Sequence, residues 1–179
     1  KTIQKQIKQI ENLVNEFSDF ARMPKPLIKK NNLYEVIKEN IILLEKIDTD
    51  IKIKLINHLS SNNYINFDFE QFNRLFFNLI KNSIESILEK AEKDNKIDKN
   101  IDIEIRERRD YIIINILDTG IGFKNKKTKD LIKPYFTTKE KGTGLGLSIV
   151  DKIISDHNGS INFSNQENGA KIQIIIPNK

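Results

Sequence analysis

The chain has 179 residues, a formal net charge of +5 and no cysteine. That length suffices for one well-packed core, or for one domain with an appendage. The lack of cysteine excludes disulfides and thiolate metal sites, and His58 and His157 lie too far apart to suggest metal-ligand spacing. Basic and acidic residues are interspersed, and the one dense run of lysines, at 124–129, gives little support for nucleic-acid binding.

The N-terminal segment carries apolar residues at alternating spacings of four and three. These positions are Ile3, Ile7, Ile10, Val14, Phe17 and Ala21. Such a heptad seam predicts a helix of about 22 residues, which ends where Pro24 and Pro26 prevent its continuation. An amphipathic helix packed on its own domain gives a similar pattern. The narrow seam and the stiff proline segment favour a helix from a bundle of which this chain holds only part.

After the prolines, helical and strand patterns alternate. Helical patterns cover 33–47, a long segment from the expected N-cap Asp68 to about Ala91, and a segment that follows Gly146 and ends near His157. Strand patterns cover 51–56, 64–67, 101–106, 111–117, 160–164 and 170–176. The last four strands form two predicted antiparallel hairpins, the second turning at Asn168 and Gly169. With the helices collected on one side, the order predicts a two-layer α/β sandwich.

Two glycine-containing segments, Asp118–Gly122 and Gly142–Gly146, carry the first chemical signal. Glycines at three alternate positions exclude a strand interior, and the apolar residues that follow fit one face of a helix. A glycine-rich turn before a helix directs backbone N–H groups at one point, where the helix dipole favours an anion such as phosphate. A turn that only reverses the chain is the alternative. The acid-bearing glycine segment upstream favours the phosphate site.

The long helix carries the second signal. Asn78, Asn82 and Glu85 fall within about 60° of arc on this helix. Asparagine is a poor helix former, so two of them one turn apart in mid-helix need a compensating role. A polar surface stripe is one explanation. A set of amide and carboxylate oxygens suited to Mg²⁺ and its phosphates is the other.

In this order, four segments resemble the motifs of the ATP-binding domain of sensor histidine kinases, a superfamily that includes gyrase B, Hsp90 and MutL. They are an asparagine box (78–85), a first glycine box (118–122), an aromatic box (134–139) and a second glycine box (142–146). The resemblance implies a Bergerat-type fold, with a mixed, mostly antiparallel sheet and helices on one face. Phe17–Pro24 resembles the end of the second dimerisation helix in NtrY-like nitrogen-regulation kinases.

This resemblance divides the chain into a remnant of a dimerisation domain (1–23), a linker (24–32) and an ATP-binding domain (33–179). It also implies that residues 123–141, which are rich in lysine and weakly periodic, form a mobile lid over the nucleotide. Phe136 is expected to pack within this lid. The implied partners are the kinase's own phosphoacceptor helix, a second copy in a homodimer, and a response regulator.

The resemblance implies a role for each matching residue. Asp118 would accept a hydrogen bond from the adenine amino group, while Gly120 and Gly122 would let the backbone approach the base. Asn82 would bind Mg²⁺. Asn78 and Lys139 are the candidate catalytic residues. Asn78 would lie toward the phosphates, and Lys139 would contact the γ-phosphate. Backbone N–H groups for the phosphates would come from Gly142, Thr143, Gly144, Leu145 and Gly146.

The departures from the family pattern also carry information. Gyrase and Hsp90 have a catalytic glutamate where this chain has Asn78, and an amide cannot serve as a general base for water. Glu85 stands where many histidine kinases have lysine; contact with Mg²⁺ through water, or no role, both remain open. Neither His58 nor His157 is followed closely by an acidic residue, as the phosphoacceptor of this family is, so both are interpreted as structural.

The implied function is transfer of the ATP γ-phosphate to a histidine on a dimerisation helix outside this chain, and then to a response-regulator aspartate. The parent is expected to be an inner-membrane sensor with this domain in the cytoplasm. A serine kinase of the anti-sigma type and a nucleotide-gated clamp share the fold and are the alternatives.

Overall fold

A computed structural model describes residues 2–59, 63–94, 96–123, 128–137, 139 and 142–178. The helices are α1 (Thr2–Ala21), α2 (Leu33–Leu44), α3 (Phe69–Ala91), α4 (Thr128–Leu131) and α5 (Gly146–Asp156). The strands are β1 (Lys29–Asn32), β2 (Lys52–His58), β3 (Tyr64–Phe67), β4 (Asn100–Glu107), β5 (Tyr111–Asp118), β6 (Ser160–Gln166) and β7 (Gly169–Pro177).

Five of these strands form one sheet in the order β2-β4-β5-β7-β6. Strand β2 runs parallel to β4, and the other three pairs are antiparallel. Strands β1 and β3 form a separate antiparallel pair. The mixed, mostly antiparallel sheet and both predicted hairpins are therefore confirmed, although the second turn lies at Glu167 and Asn168, one residue earlier than expected.

The sheet buries one face under the helices. Isoleucines at alternate positions of β4, β5 and β7 are almost fully buried, among them Ile103, Ile114 and Ile174. Each such side chain stabilises the fold by about 1.5–3 kcal/mol relative to an exposed one. Helix α3 packs against both α2 and α5 over this face. The opposite face carries polar pairs such as Asn115 and Gln173. The predicted two-layer α/β sandwich is confirmed.

The start of α3 is fixed by a set of hydrogen bonds around Asp68. Its Oδ1 accepts from the backbone N–H of Gln71 at 2.9 Å, which confirms the predicted N-cap. Its Oδ2 accepts from the N–H of Leu27 at 2.6 Å, and its own N–H donates to His157 Nε2 at 3.0 Å. His157 Nδ1 therefore carries the proton and donates to the carbonyl of Ile153 at 2.7 Å. The buried His157 thus joins the end of α5 to the start of α3.

The structure differs from the sequence expectations in three places. The expected linker 24–32 ends in strand β1, which pairs with β3. Helix α2 ends at Leu44, before Ile47, where the N–H of Ile47 donates to the carbonyl of Leu44 at 3.0 Å and the α-helical bonding gives way to a tighter turn. The expected lid 123–141 contains the short helix α4; its residues 124–127, 138, 140 and 141 lie outside the described residues.

Helix α1 confirms the predicted N-terminal helix. Of its heptad seam, Ile7, Ile10, Val14 and Phe17 are about half exposed, at 51, 61, 54 and 47%. The side chain of Ile3 lies outside the described residues. None of the helices in the described part of the chain is long and apolar enough to cross a bilayer.

We predict that Gly169→Ala destabilises the fold by at least about 2 kcal/mol. Gly169 has φ +124°, and a Cβ there would lie 1.9 Å from the carbonyl oxygen of Asp118. In a domain of this size the melting temperature should fall by about 4–8 °C. Thermal unfolding followed by circular dichroism measures the effect, with the exposed neighbour Asn168→Ala as the control. Equal melting temperatures for the two variants would contradict this reading of the turn.

Candidate nucleotide-binding site

The asparagine pair in the middle of α3 faces the N-terminus of α5. The Asn78 amide Nδ2 donates to the carbonyl of Arg74 at 2.9 Å, which fixes the orientation of the amide group. A Cβ on Gly146 would lie 3.1 Å from Asn78 Oδ1 and 3.9 Å from Asn82 Nδ2. The structure therefore brings the asparagine box and the second glycine box together, as the motifs predict.

Helix α5 begins without a capping side chain. Leu145 occupies the N-cap position and makes no side-chain hydrogen bond there, while its own side chain is fully buried. The backbone N–H of Leu145 lies 3.4 Å from Thr143 Oγ1. The first N–H groups of an α-helix have no partner within the helix and favour an anion. The start of α5 consequently offers backbone donors beside Asn78 and Asn82.

The second glycine box packs directly on the backbone of the aromatic box. Gly144 has φ +72°, and a Cβ there would lie 2.4 Å from the carbonyl carbon of Tyr135. A Cβ on Gly142 would similarly lie 2.5 Å from Thr137 Oγ1. Phe136 is partly buried and packs against the core, whereas the sequence suggested packing within the lid. Only glycine allows the two segments to approach this closely at position 144.

Lys139 connects the aromatic box to the asparagine box. Its ammonium group contacts the carboxylate of Glu85 and lies 3.4 Å from Asn82 Oδ1. Lys81 Nζ lies 3.9 Å from the same carboxylate. Because these side chains are a third to nearly a half exposed, each ion pair contributes at most about 1 kcal/mol. Glu85, for which the sequence left the role open, is therefore a partner of Lys139.

Asp118 ends strand β5 with a buried carboxylate. Its Oδ2 accepts from Ser83 Oγ at 3.0 Å, and its Oδ1 accepts from the backbone N–H of Gly120 at 2.9 Å. Burial raises the pKa of Asp118 above its ordinary value; hydrogen bonds from Gly120, Ser83 and Ala170, with the charge of Lys90, offset only part of this shift. A buried carboxylate with two fixed donors is a directional acceptor.

The turn after Asp118 is held against α3 by a second serine. Ser86 Oγ accepts from the N–H of Ile121 at 3.1 Å, and a Cβ on Gly120 would lie only 2.2 Å from that oxygen. At the next glycine, Gly122, the adjacent N–H of Phe123 donates to Asn165 Oδ1 at 2.7 Å. Sequence reasoning missed both Ser83 and Ser86 as site residues. Their spacing of three on the helix that carries the asparagine box was the available signal.

Helix α3 thus holds two kinds of group near each other. Asn78 faces α5, and Ser83, which contacts Asp118, lies about 7.5 Å further along the helix axis. The end at Ser83 offers the Asp118 carboxylate as a hydrogen-bond acceptor. The end at Asn78 offers the backbone N–H donors of α5 and the ammonium of Lys139. No cluster of three His, Cys, Asp or Glu residues that could hold a metal ion occurs among the described residues. A cation bound here would need oxygens from a ligand in addition to Asn82.

A cleft of about 1020 Å³ lies elsewhere, between the segment that follows α1 and the helices α2 and α3. Its walls include Pro24, Leu27, Asn40 and Phe77. None of the site residues predicted from the sequence lines this cleft. The chemistry of the side chains, and not the size of the cavity, therefore locates the candidate site.

We predict that Asp118→Asn stabilises the protein at neutral pH. An aspartate whose pKa is raised by folding contributes stability below its ordinary pKa, and this contribution is lost as the pH rises through the folded-state value. The amide cannot ionise, so it avoids that loss. The variant should melt above the wild type at pH 7.5, by about 2–4 °C per unit of pKa difference, and the gap should shrink toward pH 4.

Thermal unfolding at a series of pH values measures this effect, and Asp102→Asn, which removes an exposed carboxyl from β4, is the control. A wild type more stable than Asp118→Asn by the same margin at every pH would contradict the prediction.

Comparison with known proteins agrees with this geometry. A family model described as histidine kinase-, DNA gyrase B-, and HSP90-like ATPase matches residues 67–179. The nitrogen regulation protein NtrY of Azorhizobium caulinodans is 32% identical over 168 residues, which are 94% of this chain and 21% of NtrY. This chain therefore spans about a fifth of that relative's length.

Solved structures show the same fold. The catalytic domain of histidine kinase ThkA superposes with a TM-score of 0.71 at 28% identity, covering 84% of this chain and 95% of that domain. ThkA in complex with response regulator protein TrrA gives a TM-score of 0.77 at 23% identity, over 99% of this chain and 50% of ThkA. Because the family model matches residues 67–179, a range that includes the candidate site, this chain belongs to the histidine kinase-, DNA gyrase B- and HSP90-like ATPase family.

Proposed function

We propose that this chain is the ATP-binding catalytic domain of a sensor histidine kinase (33–179), preceded by a linker (24–32) and the last helix of a dimerisation domain (1–23). The observation that carries the proposal is that α3 contacts the buried Asp118 carboxylate through Ser83 and the N-terminus of α5 through Asn78. A base acceptor and a phosphate-binding helix terminus are the two halves of a nucleotide site.

Adenine binds with its amino group toward Asp118. The carboxylate accepts this hydrogen bond, whereas guanine presents a carbonyl at the same place and is disfavoured. Gly120 and Gly122 keep the backbone beside the base free of side chains. The phosphates bind the backbone N–H groups of 142–146, and Lys139 turns from Glu85 to the γ-phosphate.

Asn82 and the phosphates of the nucleotide would together hold Mg²⁺. The donor set suits a cation, because Asn82 Oδ1 and the Glu85 carboxylate already accept the ammonium of Lys139. Asn82 is the protein ligand that we propose, and the metal would offset charge on the phosphates. Asn78, one turn earlier, orients toward the phosphates at Gly146 and cannot take a proton from water. This favours transfer to a protein acceptor over free hydrolysis.

The reaction is in-line attack by an imidazole nitrogen on the γ-phosphorus, with ADP leaving and Lys139 balancing charge on the transferred group. The acceptor histidine belongs to a dimerisation helix outside this chain. Both nitrogens of His157 contact backbone groups, and His58 lies beside Glu104 on the sheet. The next acceptor is a response-regulator aspartate, in line with the ThkA–TrrA complex. The exposed seam of α1 suits a homodimer, and the NtrY likeness suits a cytoplasmic domain of an inner-membrane sensor.

We predict that ADP with Mg²⁺ raises the melting temperature of the chain and that GDP does so far less. At a hundredfold excess over Kd the stabilisation is about 2.7 kcal/mol, or about 5–10 °C. Asp118→Asn should lose the adenine preference, and Asn82→Ala should lose the dependence on Mg²⁺. Differential scanning fluorimetry tests all of these. If ADP stabilised Asp118→Asn and the wild type equally, Asp118 would not belong to the nucleotide site. If Mg²⁺ did not affect nucleotide binding by the wild type, the proposed metal site would be wrong.

We predict no autophosphorylation of this chain with labelled ATP, and labelling once the preceding acceptor helix is fused to its N-terminus. The product should be acid-labile and base-stable, as a phosphohistidine is, and Lys139→Ala should reduce it strongly. An acid-stable product would instead indicate the serine-kinase alternative. Nucleotide-dependent dimerisation without any labelling would indicate a clamp.

A further inference from the structure

We propose that Ser83 determines the purine selectivity of this site by holding the Asp118 carboxylate in place as an acceptor for the adenine amino group. This inference rests on the proposed function, since it assumes that adenine binds at Asp118. Ser83 does not touch the nucleotide in this scheme. It is a positioning residue that acts through Asp118.

The geometry supports a positioning role. Ser83 is only 2% exposed, and its hydroxyl reaches Asp118 Oδ2 at 3.0 Å while the N–H of Gly120 reaches Oδ1 at 2.9 Å. The terminal torsion of an aspartate is broad, so it has no strong preference of its own. Donors from two directions, one on α3 and one in the following turn, fix the plane of the carboxylate. The remaining lone pairs then have defined directions.

The charge state of Asp118 also depends on Ser83. Burial favours a protonated carboxyl, and a hydroxyl that donates to the carboxylate opposes protonation. The other groups that act on Asp118 are the ammonium of Lys90 on α3, the Gly120 N–H in the turn and the Ala170 N–H on β7. A protonated Asp118 would be a donor, and it could pair with the guanine carbonyl. Loss of the Ser83 hydroxyl should therefore weaken adenine selectivity, most strongly in mild acid.

Ser86 supplies a matched comparison within the same helix. It lies one turn beyond Ser83, and its Oγ accepts from the N–H of Ile121. It therefore supports the backbone of the turn and makes no hydrogen bond to the carboxylate. If only the shape of the turn mattered, removing either hydroxyl would have the same consequence. If the carboxylate must be held, only Ser83 should change selectivity.

The test is isothermal titration calorimetry with Mg²⁺–ADP and Mg²⁺–GDP, from pH 8 to pH 5.5, on the wild-type chain and on Ser83→Ala, Ser83→Thr and Ser86→Ala. ADP and GDP carry the same phosphates, so phosphate protonation changes both affinities equally and cancels in their ratio. For Ser83→Ala we expect the ADP preference to fall roughly tenfold at pH 6, and the pH at which it declines to rise by about one unit. Ser83→Thr keeps a hydroxyl and should restore the wild-type profile. Ser86→Ala should weaken both nucleotides alike.

A Ser83→Ala variant with the wild-type ratio at every pH, or with equal losses for ADP and GDP, would overturn the inference. Melting curves without nucleotide show whether the variant is folded. Ser83→Cys, which keeps the volume but is a weak donor, gives the same readout should the alanine variant fail to fold. If the wild-type chain binds neither nucleotide, or Asp118→Asn binds ADP as tightly as wild type, the proposed function itself fails. A wild-type preference for ADP that Ser83→Ala leaves intact contradicts the Ser83 inference alone.

Discussion

The packing of α3 on the sheet is the interaction on which the candidate site depends. One stripe of this helix is fully buried, including Phe72, Leu79 and Ile87. Each such side chain contributes about 1.5–3 kcal/mol, whereas a typical polar contact at the site contributes about 1 kcal/mol. The apolar stripe therefore sets the rotation of α3 about its axis. Once that rotation is fixed, Ser83 points to the end of β5 and Asn78 points to α5.

The polar groups that α3 brings together are individually unfavourable for the fold. Asp118 is a buried carboxylate whose pKa burial raises, and Asn78 and Asn82 are poor helix formers in mid-helix. Their neighbours offset these costs only in part: Asn78 donates to the carbonyl of Arg74, and Asn82 accepts from Lys139. A group of polar residues that each lower the stability of the fold is typical of a functional site. The stability of the isoleucine-rich sheet makes this loss tolerable.

Local sequence patterns predicted most of the helices and strands. The features that these patterns did not predict depend on contacts between residues distant in the sequence. Alternating isoleucines indicated β4, β5 and β7, and Asp68 indicated the start of α3. Strand β1 could not be predicted, because its residues, Lys29–Asn32, are all polar and its extended form depends on pairing with β3. The motifs located Asp118 and Lys139, but Ser83 lies 35 residues from Asp118 and Glu85 lies 54 from Lys139. No periodicity indicates such pairs.

The aromatic box links α1 to the second glycine box. Phe17 stacks on Tyr135, with ring centroids 6.4 Å apart. Tyr135 has φ +65°, an unusual conformation for a residue with a side chain, and its backbone lies against Gly144. A side chain at position 144 would displace that turn, and displacement of the turn would separate the two rings. The glycine at 144 is therefore required for the close approach of the second glycine box to the aromatic box, and the contact between Phe17 on α1 and Tyr135 depends on that approach.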